Sequence, residues 1–194
     1  MKNIDIKDYL YHGIIDWLNY DNGKARENLC LEKLESILKS RYIYRPLEFK
    51  KNGITHTNTA NHYTHFFTFV ACHPKSVFAE KFKKNLDEDN GYTVATAYSK
   101  YGLLLSPKLL DELTISDVVF CDKEIVLEDN ISLDKYGVGI YINPMEIQDE
   151  SFGIIKQLIE KYGYDYDIIS IFDSAIVESL EEEREKINKL SLKL

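Results

Sequence analysis

The sequence predicts a single domain of the α+β class, spanning residues 1–194. Its 194 residues, 44% of them hydrophobic, are enough to bury one substantial core. Residues 25–40 carry Leu31, Leu34, Ile37 and Leu38 at helical spacing, with charged residues on the other face. The strand-forming runs between residues 64 and 142 do not alternate regularly with helices, which favours α+β over repeated βαβ units.

The remaining elements are predicted from hydrophobic pattern and from breaker residues. The aromatic segment 8–12 suits a short strand, and the polar stretch 46–62 is predicted to be a long connection. Further strands are predicted at 64–72, 92–98, 101–106, 117–128, 137–142 and 166–172. Further helices are predicted at 75–86, from Pro107 onward, at 148–162 and, as a C-terminal helix, at 174–190.

Charge and composition exclude several classes of protein. The formal net charge of −8 argues against a broad nucleic-acid surface, because phosphate binding depends on Lys and Arg. No apolar run reaches the roughly 20 residues of a membrane helix, and the first residues do not resemble a signal peptide, so we expect a cytoplasmic protein. Cys30, Cys72 and Cys121 are far apart among apolar neighbours, which indicates buried thiols.

Common nucleotide, hydrolase and metal motifs are missing from the sequence, including GxGxxG, GxxxxGK[ST], GxSxG and HExxH. Four histidines, His56, His62, His65 and His73, lie within eighteen positions, yet their spacing matches no recognised metal site, so no metal is predicted. The segment Asp122-Lys123-Glu124 would project two carboxylates from one face of a strand. That pattern fits either an exposed strand edge or a functional site.

An ordered set of short motifs gives a more specific indication of function. Tyr11-His12-Gly13 ends the first strand, residues 34–38 form Leu-Glu-Ser-Ile-Leu with Arg45 downstream, and residues 124–127 form Glu-Ile-Val-Leu before the Gly-Ile-Tyr at 139–141. In this order the chain resembles the diphtheria-toxin-like branch of the ADP-ribosyltransferase superfamily, over roughly residues 8–143. The resemblance implies a split core of mixed or antiparallel sheet with flanking helices, and NAD as the substrate.

The resemblance also implies roles for individual residues. Glu124 would be the catalytic residue, holding the nicotinamide ribose and stabilising the oxocarbenium-like sugar that forms as nicotinamide leaves. His12 would bond a ribose hydroxyl, and Gly13 would present its backbone to the carboxamide. The NAD-contacting positions implied in this way, with three candidates for the aromatic ring stacked on nicotinamide, are His12, Gly13, Arg45, Phe69, Tyr98 and Tyr101.

The chain departs from the family pattern at several positions. Ile14-Ile15 follows the glycine where the family usually has Thr or Ser, and a long insertion precedes the first helix. That helix also ends without the expected glycine. Asp122 stands two residues before Glu124, where relatives often have Glu or Gln, and its shorter side chain leaves the residue type of the acceptor open.

The leading expectation is transfer of ADP-ribose from NAD to a macromolecular acceptor, with a protein favoured by the acidic composition. Such an enzyme would act as a toxin, an effector delivered into another cell, or a defence factor. An alternative from another class is a protein-binding module without activity, such as an immunity or anti-defence protein, which the 14 tyrosines would suit. A phosphotransferase acting on RNA is disfavoured by the negative charge and by the scarcity of Arg near His12.

Overall fold

The computed structural model describes residues 5–14, 23–43, 47–51, 54–58, 68–72, 76, 99–115 and 125–192. Side chains are described in these ranges except at 23–26, 47–51, 54–58 and 68–69. The predicted helix at 75–86 and the predicted strand at 92–98 fall outside the description, apart from Ser76.

The strands of the described part are, in chain order, β1 (Leu10–Gly13), β2 (Tyr42–Ile43), β3 (Leu47–Lys51), β4 (Ile54–Asn58), β5 (Thr68–Cys72), β6 (Tyr101–Leu105), β7 (Ile125–Leu127), β8 (Ile131–Ser132), β9 (Gly137–Ile142) and β10 (Asp167–Ser170). Six of them form one sheet in the order β10-β9-β6-β1-β5-β7. Its pairs are antiparallel except the parallel pair β9 and β10. This mixed sheet, flanked by helices, agrees with the α+β class.

The described helices are α1 (Gly23–Ser40), α2 (Leu109–Glu112), α3 (Leu133–Tyr136), α4 (Asp149–Lys161) and α5 (Leu180–Ser191). The C-terminal helix predicted over 174–190 therefore begins later than expected. Ser174 has a positive φ of 58°, and Ile176 forms a bridge with Ile169, so this stretch pairs with the sheet edge. Ser179 then caps the helix, its side-chain oxygen accepting from the Glu182 backbone N–H.

Two strand pairs lie outside the main sheet, and one of them corrects a prediction. β2 pairs with β8, and β3 pairs with β4. The second pair lies within the stretch 46–62. The prediction that this stretch is a long connection is therefore wrong. The residues between β3 and β4 are Asn52-Gly53, a dipeptide favoured in tight hairpins, and the polar composition around it obscured that signal.

The core is divided by the sheet into a large and a small part. The large cluster lies on one face and contains Leu10 and Ile14 of the β1 segment, Tyr101 and Leu103 of β6, and the apolar stripes of α1 and α4. The small cluster lies on the other face, with Tyr11, Leu104 and Tyr141 among its members. Alternate residues of each central strand therefore face the two helices or the smaller cluster.

Three tyrosines after α4, here called the tyrosine cluster (Tyr162, Tyr164 and Tyr166), join that helix to its surroundings through their hydroxyls. Tyr162 donates to the Glu35 carboxylate at 2.8 Å, Tyr164 to the Leu38 carbonyl at 2.9 Å and Tyr166 to the Leu133 carbonyl at 3.2 Å. Glu35 and Leu38 both belong to α1, so the first two bonds fix the C-terminal end of α1 against α4.

Arg41 directly follows α1, at the position where a glycine was expected. Its φ of 63° lies in the left-handed region, which disfavours residues with a Cβ. The guanidinium bonds the Asp134 carboxylate and the Tyr162 carbonyl and lies 5.0 Å from the centre of the Tyr164 ring. These contacts offset the backbone cost of the non-glycine residue.

Candidate functional site

The first predicted site residues, His12 and Gly13, lie at the end of β1 in the middle of the sheet. His12 pairs with Leu103 of β6, and Gly13 pairs with Gly102. His12 is 4% exposed, and the alternation along β1 puts it on the face of Leu10, beneath the helices. The histidine thus lies inside the molecule, on the sheet face that packs against α1 and α4.

Gly102 allows a close approach of three strands beside Gly13. A Cβ at position 102 would lie 2.4 Å from the His12 carbonyl oxygen and 2.6 Å from the Tyr141 hydroxyl. The Tyr141 ring therefore occupies the space over Gly102, and its hydroxyl lies 2.8 Å from that of Ser99. Any side chain at Gly102 would force this part of the sheet apart.

Tyr101 is the predicted aromatic residue that the structure brings next to His12. The Tyr101 carbonyl accepts from the Ile14 backbone N–H at 3.2 Å, and both Tyr101 and Leu103, the partner of His12, belong to the large core cluster. Tyr101 is 1% exposed, and its hydroxyl has no hydrogen-bond partner. Burial raises the pKa of this hydroxyl, and the negative charge of Glu27 raises it further, so it remains a protonated donor.

The buried residues Glu27 and Ser151 form a polar group with the partly exposed Lys100 next to Tyr101, and we call these four residues the α1–β6 junction. The Glu27 carboxylate accepts from the Lys100 ammonium at 2.9 Å through one oxygen and from the Ser151 hydroxyl at 2.7 Å through the other. Glu27 is 7% exposed although it is an acid. Its two bonds connect the first turns of α1 and α4 to the start of β6.

The junction was not predicted from the sequence, although a signal was present. Glu27 lies four residues before Leu31 and seven before Leu34, which is the spacing of the apolar stripe of α1. Ser151 stands at the same spacing before Ile155 and Leu158 in α4. A polar residue at a core-facing position of each helix could have predicted that the two meet.

Glu124, the predicted catalytic residue, lies outside the described residues, and the structure describes the strand that follows it. β7 begins at Ile125, which pairs with Val70 of β5. The next residue of β5, Ala71, pairs with Tyr11 of β1. β7 and β1 are thus separated by one strand, a distance of roughly 10 Å at the usual spacing between strands.

The other predicted positions are described in part or not at all. Phe69 pairs with Val126 through the backbone, and its side chain is outside the description. Predicted residues that lie outside the described ranges are Arg45, His62, His65, His73, Tyr98, Cys121 and Asp122. Of the implied NAD-contacting residues, the structure therefore brings His12, Gly13 and Tyr101 together.

No group of three or more metal-ligating side chains occurs among the residues whose placement is described. Cys30 and Cys72 form no disulfide with any described residue; Cys30 is buried, as expected, whereas Cys72 is only partly buried, and burial raises the pKa of its thiol. Within the described ranges no helix has the length and apolar character needed to cross a membrane.

No protein-family model matches this chain, and no curated protein or solved structure shows significant similarity to it.

Proposed function

We propose that the chain is a NAD-dependent ADP-ribosyltransferase with an ADP-ribosyltransferase-like fold, transferring ADP-ribose to a macromolecular acceptor. The observation that carries the proposal is the meeting of distant motif segments in one sheet. His12-Gly13 ends β1, Tyr101 begins β6 beside it, and β7, which directly follows Glu124, is separated from β1 by β5 alone. These segments are about 110 residues apart in the chain, counting from His12 to Glu124.

The proposed chemistry needs few groups, and the chain has them in its motif segments. Cleaving the bond between nicotinamide and ribose builds positive charge on the sugar, which a fixed carboxylate stabilises. Glu124 has this role and also orients the attacking group of the acceptor. His12 bonds a ribose hydroxyl, and the Gly13 backbone faces the carboxamide without an obstructing side chain.

A protein is the acceptor that best suits the charge of the chain. The net charge of −8 would repel the phosphates of a nucleic acid. With such an acceptor the enzyme would serve as a toxin, an effector or a defence factor.

Release of nicotinamide from NAD tests the proposal directly. We expect the purified protein to release nicotinamide and the Glu124→Gln variant to lose about 100-fold or more of that rate, because the substitution removes the stabilising charge. Glu128→Gln is the matched control, since Glu128 is an exposed carboxylate that follows the same strand. Wild-type protein that releases no nicotinamide, or a Glu124→Gln variant with full activity, would contradict the proposal.

His12→Ala tests the binding role separately. We expect weaker binding of NAD by about tenfold in titration calorimetry, the usual effect of losing one hydrogen bond to a ligand. Because His12 is buried, the melting temperature of the variant has to be measured alongside. Equal affinity in a folded variant would remove His12 from the site.

A further inference from the structure

Tyr101 differs from most of the other buried and partly buried tyrosines of the described chain in the state of its hydroxyl. Six of those tyrosines have a hydroxyl within hydrogen-bond distance of a protein oxygen: Tyr11, Tyr136, Tyr141, Tyr162, Tyr164 and Tyr166. The Tyr101 hydroxyl is also buried but has no partner.

An unsatisfied buried hydroxyl has a free-energy cost. Such a group loses its bonds to water without replacement, which costs about 1–3 kcal/mol. Phenylalanine would fill the same space without that cost. A buried polar group that folding alone does not satisfy is a feature typical of functional sites.

Glu27 supplies a hydrogen-bond acceptor near the Tyr101 donor. Its carboxylate is held by Lys100 and Ser151, one on each oxygen, and each carboxylate oxygen can accept a further hydrogen bond. The charge of Glu27 acts on Tyr101, yet no hydrogen bond joins the two side chains. The junction therefore has a donor on one side and spare acceptor capacity on the other.

We propose that the α1–β6 junction is a binding subsite in which one small neutral group of the ligand accepts a hydrogen bond from Tyr101 and donates one to Glu27. Because Tyr101 and Glu27 are both buried, the group must be as small as a hydroxyl or a primary carboxamide, each of which can accept and donate at once. Lys100 and Ser151 act as positioning residues that hold Glu27. The inference rests on the proposed function, since NAD carries both groups, on its riboses and on its nicotinamide.

Titration calorimetry with two fragments of NAD distinguishes the two sources of this group. ADP-ribose carries the hydroxyls without the carboxamide, and nicotinamide carries the carboxamide without the sugar. We expect Tyr101→Phe to weaken binding of one fragment by about tenfold and to leave the other unchanged. Glu27→Gln should weaken the same fragment. If Tyr101→Phe binds both fragments as tightly as the wild type, the hydroxyl does not contact the ligand and the inference is wrong.

Stability measurements give a second, independent readout. Tyr101→Phe should melt at or above the temperature of the wild type, because it removes an unpaired hydroxyl. Tyr141→Phe is the matched control: its hydroxyl is paired with Ser99 on the opposite face of the same sheet, so its loss should lower the melting temperature. A clear loss of stability in Tyr101→Phe would mean that the protein itself satisfies this hydroxyl, and would overturn the inference.

The outcomes separate this inference from the proposed function. Wild-type protein that cleaves NAD while Tyr101→Phe binds both fragments normally would overturn the subsite alone. Wild-type protein that binds a fragment through Tyr101 but does not release nicotinamide would support the subsite and overturn the transferase. Wild-type protein that binds neither NAD nor a fragment would overturn both.

Discussion

The α1–β6 junction and the tyrosine cluster are two polar regions at opposite ends of the same helix pair. In the tyrosine cluster every hydroxyl has an acceptor, two of them on α1. At the junction, Glu27 joins the first turns of α1 and α4 in a similar way, yet the Tyr101 hydroxyl beside it has no partner. The two ends therefore use the same kinds of residue with different degrees of hydrogen-bond satisfaction.

The two regions differ in how completely the free protein satisfies their polar groups. The tyrosine cluster gains its net hydrogen-bond energy in the free protein. The junction carries an unsatisfied hydroxyl inside the core, next to the motif residue His12 on the same sheet face. A hydrogen bond from this hydroxyl to a bound ligand would offset that cost.

The largest effect should come from Gly102→Ala, in β6 next to Tyr101. The new Cβ would meet the backbone oxygen of His12 and the hydroxyl of Tyr141, so the central strands would have to separate. We expect a loss of about 3 kcal/mol in the free energy of unfolding, measured by urea denaturation. Gly153→Ala in α4 is the control, because nothing lies within 4 Å of its Cβ position, and it should gain about 0.5–1 kcal/mol.

Glu27→Ala should have the next largest effect. It leaves the buried Ser151 hydroxyl and the Lys100 ammonium without their shared acceptor, and we expect a loss of about 2 kcal/mol in urea denaturation. Glu27→Gln keeps an acceptor for Ser151 and should lose less. Equal stability of Glu27→Ala and wild type would show that the junction does not hold the two helices.

Tyr164→Phe tests the opposite end of the helix pair. Removing the hydroxyl leaves the Leu38 carbonyl without that donor, and we expect a loss of about 1 kcal/mol. The comparison is made with Tyr101→Phe, for which no loss is expected. An equal loss of stability in the two variants would contradict the difference between the two regions.

The smallest effect should be the pH dependence from Glu35. Hydrogen bonds from Lys161 and Tyr162 hold the pKa of this carboxyl below its ordinary value near 4.5. A lowered pKa in the folded state means that the stabilisation is complete above the unfolded pKa and is lost as the pH falls through the folded one. The stability difference between wild type and Glu35→Gln should therefore shrink between pH 6 and pH 3, and a constant difference would contradict this.

Periodicity predicted most of the described fold, because α1, α4, β6 and β9 each carry a continuous apolar pattern. The hairpin of β3 and β4 was missed because its strands are short and polar. The start of α5 was misplaced because Ile176 and Val177 stand at helical spacing before Leu180, although Ile176 forms a bridge with Ile169.

The candidate site was predictable only where a motif marked it. His12-Gly13 was identified because a resemblance drew attention to it, and Tyr101 was one of three aromatic candidates. That Tyr101 lacks a partner depends on the distances between α1 and β6, which no local pattern encodes. Glu27 could have been found from its core-facing position, but its partners Lys100 and Ser151 are 73 and 124 residues away.

The measurement that tests the ligand role of the junction most directly is the rise in melting temperature that NAD produces. A ligand at 100 times its Kd stabilises the folded state by about 2.7 kcal/mol. We expect NAD to raise the melting temperature of the wild type and of Tyr141→Phe, and to raise that of Tyr101→Phe clearly less at the same concentration. No rise in the wild type, or an equal rise in all three proteins, would contradict a NAD site at Tyr101.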